Sequence, residues 1–253
     1  MEQYLGFGLG PLLLIFFRVG AAFMVMPGIG ENYVPMRARL TIALALSLVL
    51  VPSLSPALPP IPDNPVLLLP LAVSEALIGI LIGGAARLIV TALHVAGVII
   101  AFQSSLAYAQ TVDPNQGVQS TLVAALLNLL GVVLIFALGL HALMIEAVHH
   151  SYTLFPPGTP PPVNAFAEMA VTLATGSFTI GLQIAAPFIM YGLLFYIGLG
   201  MLQRLMPQLQ LFFIAMPAQL LLAFFMLGTV ISVGMMWFLE HFERRMAALA
   251  GLG

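Results

Sequence analysis

Six long apolar segments, each nearly free of charge, follow one another along the chain. They cover approximately residues 5–26, 40–58, 66–102, 122–148, 165–200 and 209–239. A transmembrane helix needs roughly 20 apolar residues to cross a hydrocarbon core of about 30 Å. Outer-membrane strands instead alternate polar and apolar residues, and this sequence shows no such alternation over any length. The sequence therefore predicts an all-α fold of membrane-associated helical hairpins, with about six hydrophobic segments.

The scarcity of charge excludes several classes of protein. The chain has seven basic residues, all of them Arg, and nine acidic residues, while hydrophobic residues make up 61% of it. A soluble domain carries roughly a quarter charged residues, so a soluble enzyme is excluded. The net charge of −2 provides no basic surface for nucleic acid. The absence of Cys excludes disulfides and thiolate metal sites.

Two of the apolar segments are too long for a simple transmembrane bundle. Residues 66–102 and 165–200 would each be about 55 Å long as one helix at ~1.5 Å per residue. Two explanations remain open. Either these helices break, with Gly79, Gly83, Gly84 and Pro187 as candidate positions, or part of each helix lies outside the bilayer against other subunits.

Three charged residues lie within apolar segments, where an unpaired charge costs several kcal/mol. They are Arg18, Glu75 and Arg87. On one straight helix, Glu75 and Arg87 would be about 18 Å apart in height and about 120° apart in direction, so they cannot pair with each other. Each needs a partner on another helix or chain, or a wet cavity. Gly79 and Gly83 form a small-xxx-small pattern that allows close helix packing.

A polar stretch at about residues 103–120 separates two apolar segments. Its backbone cannot face lipid, because the donors and acceptors would be unsatisfied. It therefore lies in water, in protein or in a channel, and a solvated external loop remains an alternative. Asp113-Pro114 and Gly117 predict a turn. Polar residues suited to a wet lumen are Gln103, Ser104, Ser105, Gln110 and Asn115, and residues suited to an occluding apolar contact are Leu106, Tyr108 and Val112.

Two other patterns carry weaker signals. Glu146 and His149 match the Glu-x-x-His ligand pattern of di-metal helical proteins, but that site requires a second copy, which the sequence lacks. An interfacial helix end explains them better. Near the end of the fifth segment, Pro207 prevents the helix from continuing, so Arg204 to Gln208 predict a tight helix–helix turn.

Several short motifs follow one another along the chain. They are Phe17-Arg18, Pro27, Pro35-Met-Arg37-Ala-Arg39, Glu75-Ala-Leu-Ile-Gly79, Ala107-Tyr-Ala-Gln-Thr-Val-Asp113-Pro114, Gly139-Leu-His141, Ser151-Tyr-Thr-Leu-Phe-Pro156 and Arg204-Leu-Met-Pro207-Gln208. In this order they resemble the FliR family of flagellar export-gate proteins, called SctT in injectisomes. The resemblance covers nearly the whole chain. The chain differs from the family at Gln103-Ser-Ser, where members usually have Gln-x-Gly, and at Gln110-Thr-Val, where they often have aromatic residues.

The resemblance implies a protein that is not an enzyme and has no cofactor. One copy would join FliP-type and FliQ-type subunits, with the FlhB-type subunit, in a pore at the flagellar basal body of the bacterial inner membrane. Unfolded flagellar proteins would pass through this pore. Residues 1–160 would be FliP-like and residues 161–253 would be a FliQ-like helical hairpin.

The resemblance also assigns roles to individual positions. The stretch at about 103–120 would be the pore plug, and the turn with Arg204, Pro207 and Gln208 would face the cytoplasm. The plug and gating residues would be Leu106, Tyr108, Gln110, Val112, Asp113 and Pro114.

Two alternative functions stay open. A secondary transporter would use Arg18, Glu75 and Arg87 at a midplane substrate site. An intramembrane metalloenzyme would use Glu146, His149 and His150. If the chain is an assembly subunit, we expect it to be unstable alone, because overlong helices and embedded charges would lack partners.

Overall fold

The computed structural model describes residues 9–59, 65–106, 121–159, 163–206 and 211–252. These residues form seven α-helices and one 3₁₀ turn, Ser55–Ala57, and no strand occurs within them. The predicted all-α class is therefore confirmed. In chain order the helices are α1 (Leu9–Val25), α2 (Met36–Leu54), α3 (Pro65–Gln103), α4 (Leu122–Ala137), α5 (His141–Leu154), α6 (Val163–Leu205) and α7 (Leu211–Leu249).

The fourth apolar segment is two helices, so the prediction of one helix over residues 122–148 is wrong. The chain bends by 76° between α4 and α5. Gly139 has a φ of +75°, the Leu140 N–H donates to the Ile135 carbonyl, and the Gly139 N–H donates to the Phe136 carbonyl. This is a Schellman motif, in which a left-handed glycine ends a helix. Hydropathy does not detect it, because the residues on both sides are apolar.

The long helices continue without interruption. At ~1.5 Å per residue, α3 and α7 are each about 58 Å long and α6 is about 65 Å long. Pro187 lies inside α6, and Gly79, Gly83 and Gly84 lie inside α3. Of the two explanations left open by the sequence, a break at these residues is therefore excluded. A proline removes one backbone hydrogen bond, which a long helix in apolar surroundings tolerates.

Helix α7 extends ten residues past the predicted end near Leu239, to Leu249. The added part includes Glu240, Glu243, Arg244 and Arg245. Glu and Arg are good helix formers, so the backbone continues after the apolar pattern has ended. Apolarity marks the part of a helix that avoids water, and it does not mark the end of the helix.

Within the described residues, four helical stretches are long and apolar enough to cross a membrane, or five if the bent α4–α5 pair counts as one span. The short helix α1 is also apolar. In α3, 56% of an apolar 18-residue stretch is buried within the chain, compared with 17% of the corresponding stretch in α7. Helix α3 therefore serves as a core element, whereas α7 presents most of its apolar surface outwards. The four stretches are Met36–Leu54, Leu68–Gln103, Val163–Leu205 and Ala215–Leu249.

The chain divides into two compact units, each built from separated parts of the sequence. The first comprises Met1–Ile89, Ile135–Ala174 and Phe242–Gly253, and the second comprises Val90–Leu134 and Thr175–His241. In the first unit, α1 packs against α2 and α5. The predicted division into residues 1–160 and 161–253 concerns likeness to smaller proteins, and it stays a prediction.

Close backbone contacts hold the second unit together. A Cβ placed on Gly97 would collide with the Ala124 backbone, and a Cβ on Gly181 would lie 2.8 Å from the Ala92 carbonyl oxygen. The missing side chains let α3 approach α4 and α6 closely, as small residues do between membrane helices. These contacts bring the end of α3 into the position from which the polar stretch begins.

Candidate functional site

The first candidate site is a buried ion pair between α1 and α3. Arg18 Nε donates to Glu75 Oε2 at 2.6 Å, and Arg18 Nη2 donates to Glu75 Oε1 at 3.0 Å. The two side chains are 0% and 1% exposed. A two-pronged contact of this kind is the strong form of an Arg–carboxylate pair. Glu75 thus pairs with Arg18 and not with Arg87, in keeping with the helical spacing of the latter two.

The end of α5 completes the coordination of Arg18. Arg18 Nη1 donates to Ser151 Oγ at 3.2 Å, and Nη2 donates to the Phe155 carbonyl oxygen at 3.0 Å. The guanidinium carbon also lies 3.9 Å from the centre of the Tyr152 ring, a cation–π contact. Arg18 therefore ties three separate parts of the chain together through one desolvated charge.

Two glycines let α3 reach α1 beside this ion pair. A Cβ on Gly79 would collide with the Arg18 carbonyl oxygen, and a Cβ on Gly83 would collide with the Ala22 carbonyl oxygen. The predicted small-xxx-small pair thus faces the helix that carries Arg18. A larger residue at either position would separate the two backbones and lengthen the ion pair.

The third embedded charge, Arg87 of α3, lies beside the partly exposed loop that connects α1 and α2. Its Nη2 is 3.6 Å from Glu31 Oε1, and the two side chains are 48% and 29% exposed. Arg39 Nη2 donates to the Glu31 carbonyl oxygen at 2.6 Å and to the Val34 carbonyl oxygen at 2.9 Å. In the same loop, partial burial and then the charge of Glu31 raise the pKa of Tyr33. Arg39 and Arg87 thus fix the connection between α1 and α2.

All three embedded charges have partners within the chain. The expectation that Arg18, Glu75 and Arg87 would be left unpaired in a monomer is therefore wrong. The packing of α1, α3 and the loop supplies the partners that the sequence alone could not identify. The part of the expectation that concerns exposed apolar surface is unaffected.

The second candidate site is the beginning of the polar stretch. Leu106 is described and partly buried, whereas Tyr108, Gln110, Val112, Asp113 and Pro114 lie outside the described residues. We call residues 103–106 the loop root. Ser104 and Ser105 are buried within the chain, so the prediction that they line a wet lumen is wrong. Ser104 Oγ donates to the Ile100 carbonyl oxygen of its own helix at 2.7 Å.

A single glutamine of α7 binds the loop root. Ser105 Oγ donates to Gln219 Oε1 at 2.7 Å, and Gln219 Nε2 donates to the Gln103 carbonyl oxygen at 2.7 Å. Gln219 Nε2 also contacts the Tyr196 hydroxyl oxygen at 3.4 Å. Gln219 is only 3% exposed. The buried amide thus satisfies the backbone where α3 ends.

The predicted turn after α6 is described only in part. Helix α6 ends at Leu205, two residues before Pro207, and Arg204 lies exposed in its last turn. A cation at this position interacts favourably with the helix dipole. Pro207 and Gln208 lie outside the described residues.

The predicted metal ligands do not form a cluster. His149 Nδ1 lies 3.9 Å from Glu146 Oε1, with both side chains well exposed. Among the described residues, no three His, Cys, Asp or Glu side chains are grouped as metal ligands. This geometry offers no support for the metalloenzyme alternative.

Sequence reasoning missed the roles of Ser151, Tyr152 and Gln219. Ser151 and Tyr152 belong to one of the family motifs, and Gln219 belongs to none of them. A signal was available, because a polar residue inside a membrane-length apolar segment needs a partner and marks a functional or structural site. Gln219 is such a residue in the sixth segment.

The fold and these two sites define an all-helical membrane protein with a buried ion pair and a buried polar loop root. Residues 9–245 match the family described as "Bacterial export proteins, family 1", and the chain belongs to this family. It is 41% identical to flagellar biosynthetic protein FliR of Caulobacter vibrioides, over 88% of this chain and 90% of that protein. It is 34% identical to FliR of Escherichia coli, over 80% and 77%.

A relative with a different name covers a similar part of the chain. The surface presentation of antigens protein SpaR of Salmonella typhimurium is 27% identical, over 79% of this chain and 75% of that protein. The resemblance seen in the sequence motifs is therefore confirmed.

Proposed function

We propose that the chain is the FliR-type subunit of the flagellar type III export gate. It helps to form the pore that passes unfolded flagellar proteins across the bacterial inner membrane at the basal body. Family membership and the names of the FliR relatives support the flagellar export role. The subunit acts structurally, without catalysis or a cofactor.

The length and exposure of α6 and α7 support a place within a larger assembly. Both helices are far longer than a hydrocarbon core of about 30 Å. Within the chain, only 22% of an apolar 18-residue stretch of α6 and 17% of such a stretch of α7 are buried. Apolar surface that extends beyond the lipid needs protein to cover it. We infer that FliP-type, FliQ-type and FlhB-type subunits cover it.

The two parts of the chain would play different roles in this assembly. Residues 161–253 contain two long apolar helices in succession, α6 and α7, as expected of a FliQ-like hairpin. Residues 1–160 would form the FliP-like part, which includes the buried ion pair and the plug. In this arrangement Arg204, Pro207 and Gln208 lie at the cytoplasmic mouth.

We propose that the polar stretch of about 103–120 is the plug of the pore. Leu106, Tyr108 and Val112 supply apolar contacts that occlude it, Gln110 faces the lumen, and Asp113 and Pro114 fix the turn. The observation that supports this role is the loop root, which begins in buried, hydrogen-bonded protein between apolar helices. Ser104 and Ser105, at the described start of the stretch, are therefore packed against protein.

The test removes the occluding residues in cells that express the whole complex. Deleting residues 106–112 should let ions or small molecules leak across the membrane while the complex still assembles. Replacing the same seven positions with Gly and Ser should also cause leakage, which separates the loss of side chains from the shortening of the loop. Normal impermeability and normal export in both variants would show that the stretch is only a connector.

The ion pair argues against the transporter alternative. Arg18 and Glu75 neutralise each other, and Arg18 makes two further hydrogen bonds to Ser151 and Phe155. Opening this pair for a substrate would leave two buried charges without their counter-ions, which costs several kcal/mol. The geometry therefore favours a structural role for these charges.

A further inference from the structure

The loop root has a backbone geometry that needs external support. Ser105 has a φ of +60°, in the left-handed region that favours glycine. The family resemblance places a glycine near this point, whereas this chain has Ser105. A serine keeps this conformation only where its surroundings hold it.

Gln219 provides that support from α7. Its side-chain oxygen accepts from Ser105 Oγ, and its nitrogen donates to the Gln103 carbonyl oxygen, both at 2.7 Å. The Tyr191 hydroxyl donates to the Gln219 carbonyl oxygen at 3.3 Å, and Tyr196 lies beside the amide nitrogen. One buried amide therefore engages both sides of the turn that follows α3.

Helix α6 also contacts the loop root, through Gly192. A Cβ on Gly192 would collide with Gln103 Oε1, so the glycine makes room for that side chain. The root is thus held between α6 and α7, the two helices of the proposed FliQ-like part. The loop root is thus the first part of the proposed plug, and the rest of the polar stretch follows it directly in the sequence.

We propose that Gln219 is a positioning residue that latches the loop root and thereby sets where the plug begins. The proposal rests on the proposed gating function and adds a link between the plug and α7. Displacement of Gln219 relative to α3 would release the root.

The absence of native Cys allows a direct test in the assembled complex. Ser104 is fully buried and its hydroxyl bonds only to its own helix, so Ser104→Cys provides a thiol probe beside the latch. Gln219→Leu keeps a similar volume but removes the side-chain hydrogen bonds. We expect maleimide labelling of the thiol to accelerate at least tenfold, since a buried amide typically contributes this much through two hydrogen bonds.

A matched control makes the same chemical change elsewhere in the second unit. Gln183 is exposed on α6, so Gln183→Leu should leave the labelling rate unchanged. If Gln219→Leu prevents assembly, Ser105→Gly serves instead, because it removes the hydroxyl while suiting the left-handed backbone. It should assemble normally and label several-fold faster. A labelling rate equal to that of the parent in the variant that assembles would overturn the latch.

Failure of the latch and failure of the plug give different results. If deletion of residues 106–112 causes no leakage, the gating function is wrong, yet the labelling rate still reports on the latch. If the deletion causes leakage but Gln219→Leu changes neither labelling nor leakage, the plug stands and the latch is wrong. If Gln219→Leu changes labelling and raises leakage together, both proposals hold.

Discussion

The buried Arg18–Glu75 pair allows a quantitative prediction of stability. Each side chain is almost completely removed from solvent, and the two contacts are 2.6 and 3.0 Å long. Glu75→Met would leave the Arg18 charge buried without its counter-ion, at a cost of about 3–5 kcal/mol. Arg18→Met would leave the Glu75 charge buried, at a cost of similar size. A typical protein has only about 5–15 kcal/mol of stability in total, so each single variant should be severely impaired.

The double variant should be less damaged than the sum of the singles. With Arg18→Met and Glu75→Met together, no charge remains buried. The remaining cost is the Phe155 carbonyl left without its donor, about 1–3 kcal/mol. We therefore expect a coupling energy of at least about 3 kcal/mol in a double-mutant cycle, because charge burial dominates each single cost.

The assay is denaturant unfolding of the purified complex in detergent, supported by the abundance of the subunit in membranes. The exposed pair of Arg87 and Glu31 provides a control. These side chains are 48% and 29% exposed and 3.6 Å apart, so Glu31→Gln should cost less than about 1 kcal/mol. Additive costs for Arg18→Met and Glu75→Met, with coupling below about 0.5 kcal/mol, would refute a desolvated ion pair.

Three further predictions concern glycines and the end of α6. Gly79→Ala should destabilise the subunit by about 1–3 kcal/mol in the same unfolding assay, because the added Cβ would collide with α1. Gly84→Ala is the control and should be neutral or stabilising. Among the described residues, no atom lies within 4 Å of a Cβ placed on Gly84. Gly139→Ala should cost about 1–2 kcal/mol through its φ of +75° alone, and an unchanged unfolding midpoint would contradict the left-handed turn. Arg204→Glu should reduce assembly or secretion of flagellar proteins into the medium more than Arg204→Gln does, because it reverses the charge at the end of α6; wild-type assembly and secretion would mean that Arg204 is merely solvated.

The sequence shows which buried polar residues need a partner, but it does not show which partner each of them has. The apolar surroundings of Arg18 and Glu75 showed that each requires a partner, and helix geometry excluded Glu75 with Arg87. The choice of partner depends on how α1 and α3 cross, which is set by Gly79 and Gly83 meeting the α1 backbone. The same holds for Gln219, whose partners in the loop root lie more than 100 residues earlier in the chain.

The sequence by itself determined the helical class, the membrane environment and the approximate extent of most helices. These properties follow from local composition, because apolar length and the cost of unpaired backbone groups act on each segment separately. The tertiary structure alone decided which charges pair, that Ser104 and Ser105 turn inwards, and that α3 and α6 continue without a break. These outcomes depend on contacts between distant segments, where a missing Cβ or one buried amide determines how closely two helices approach.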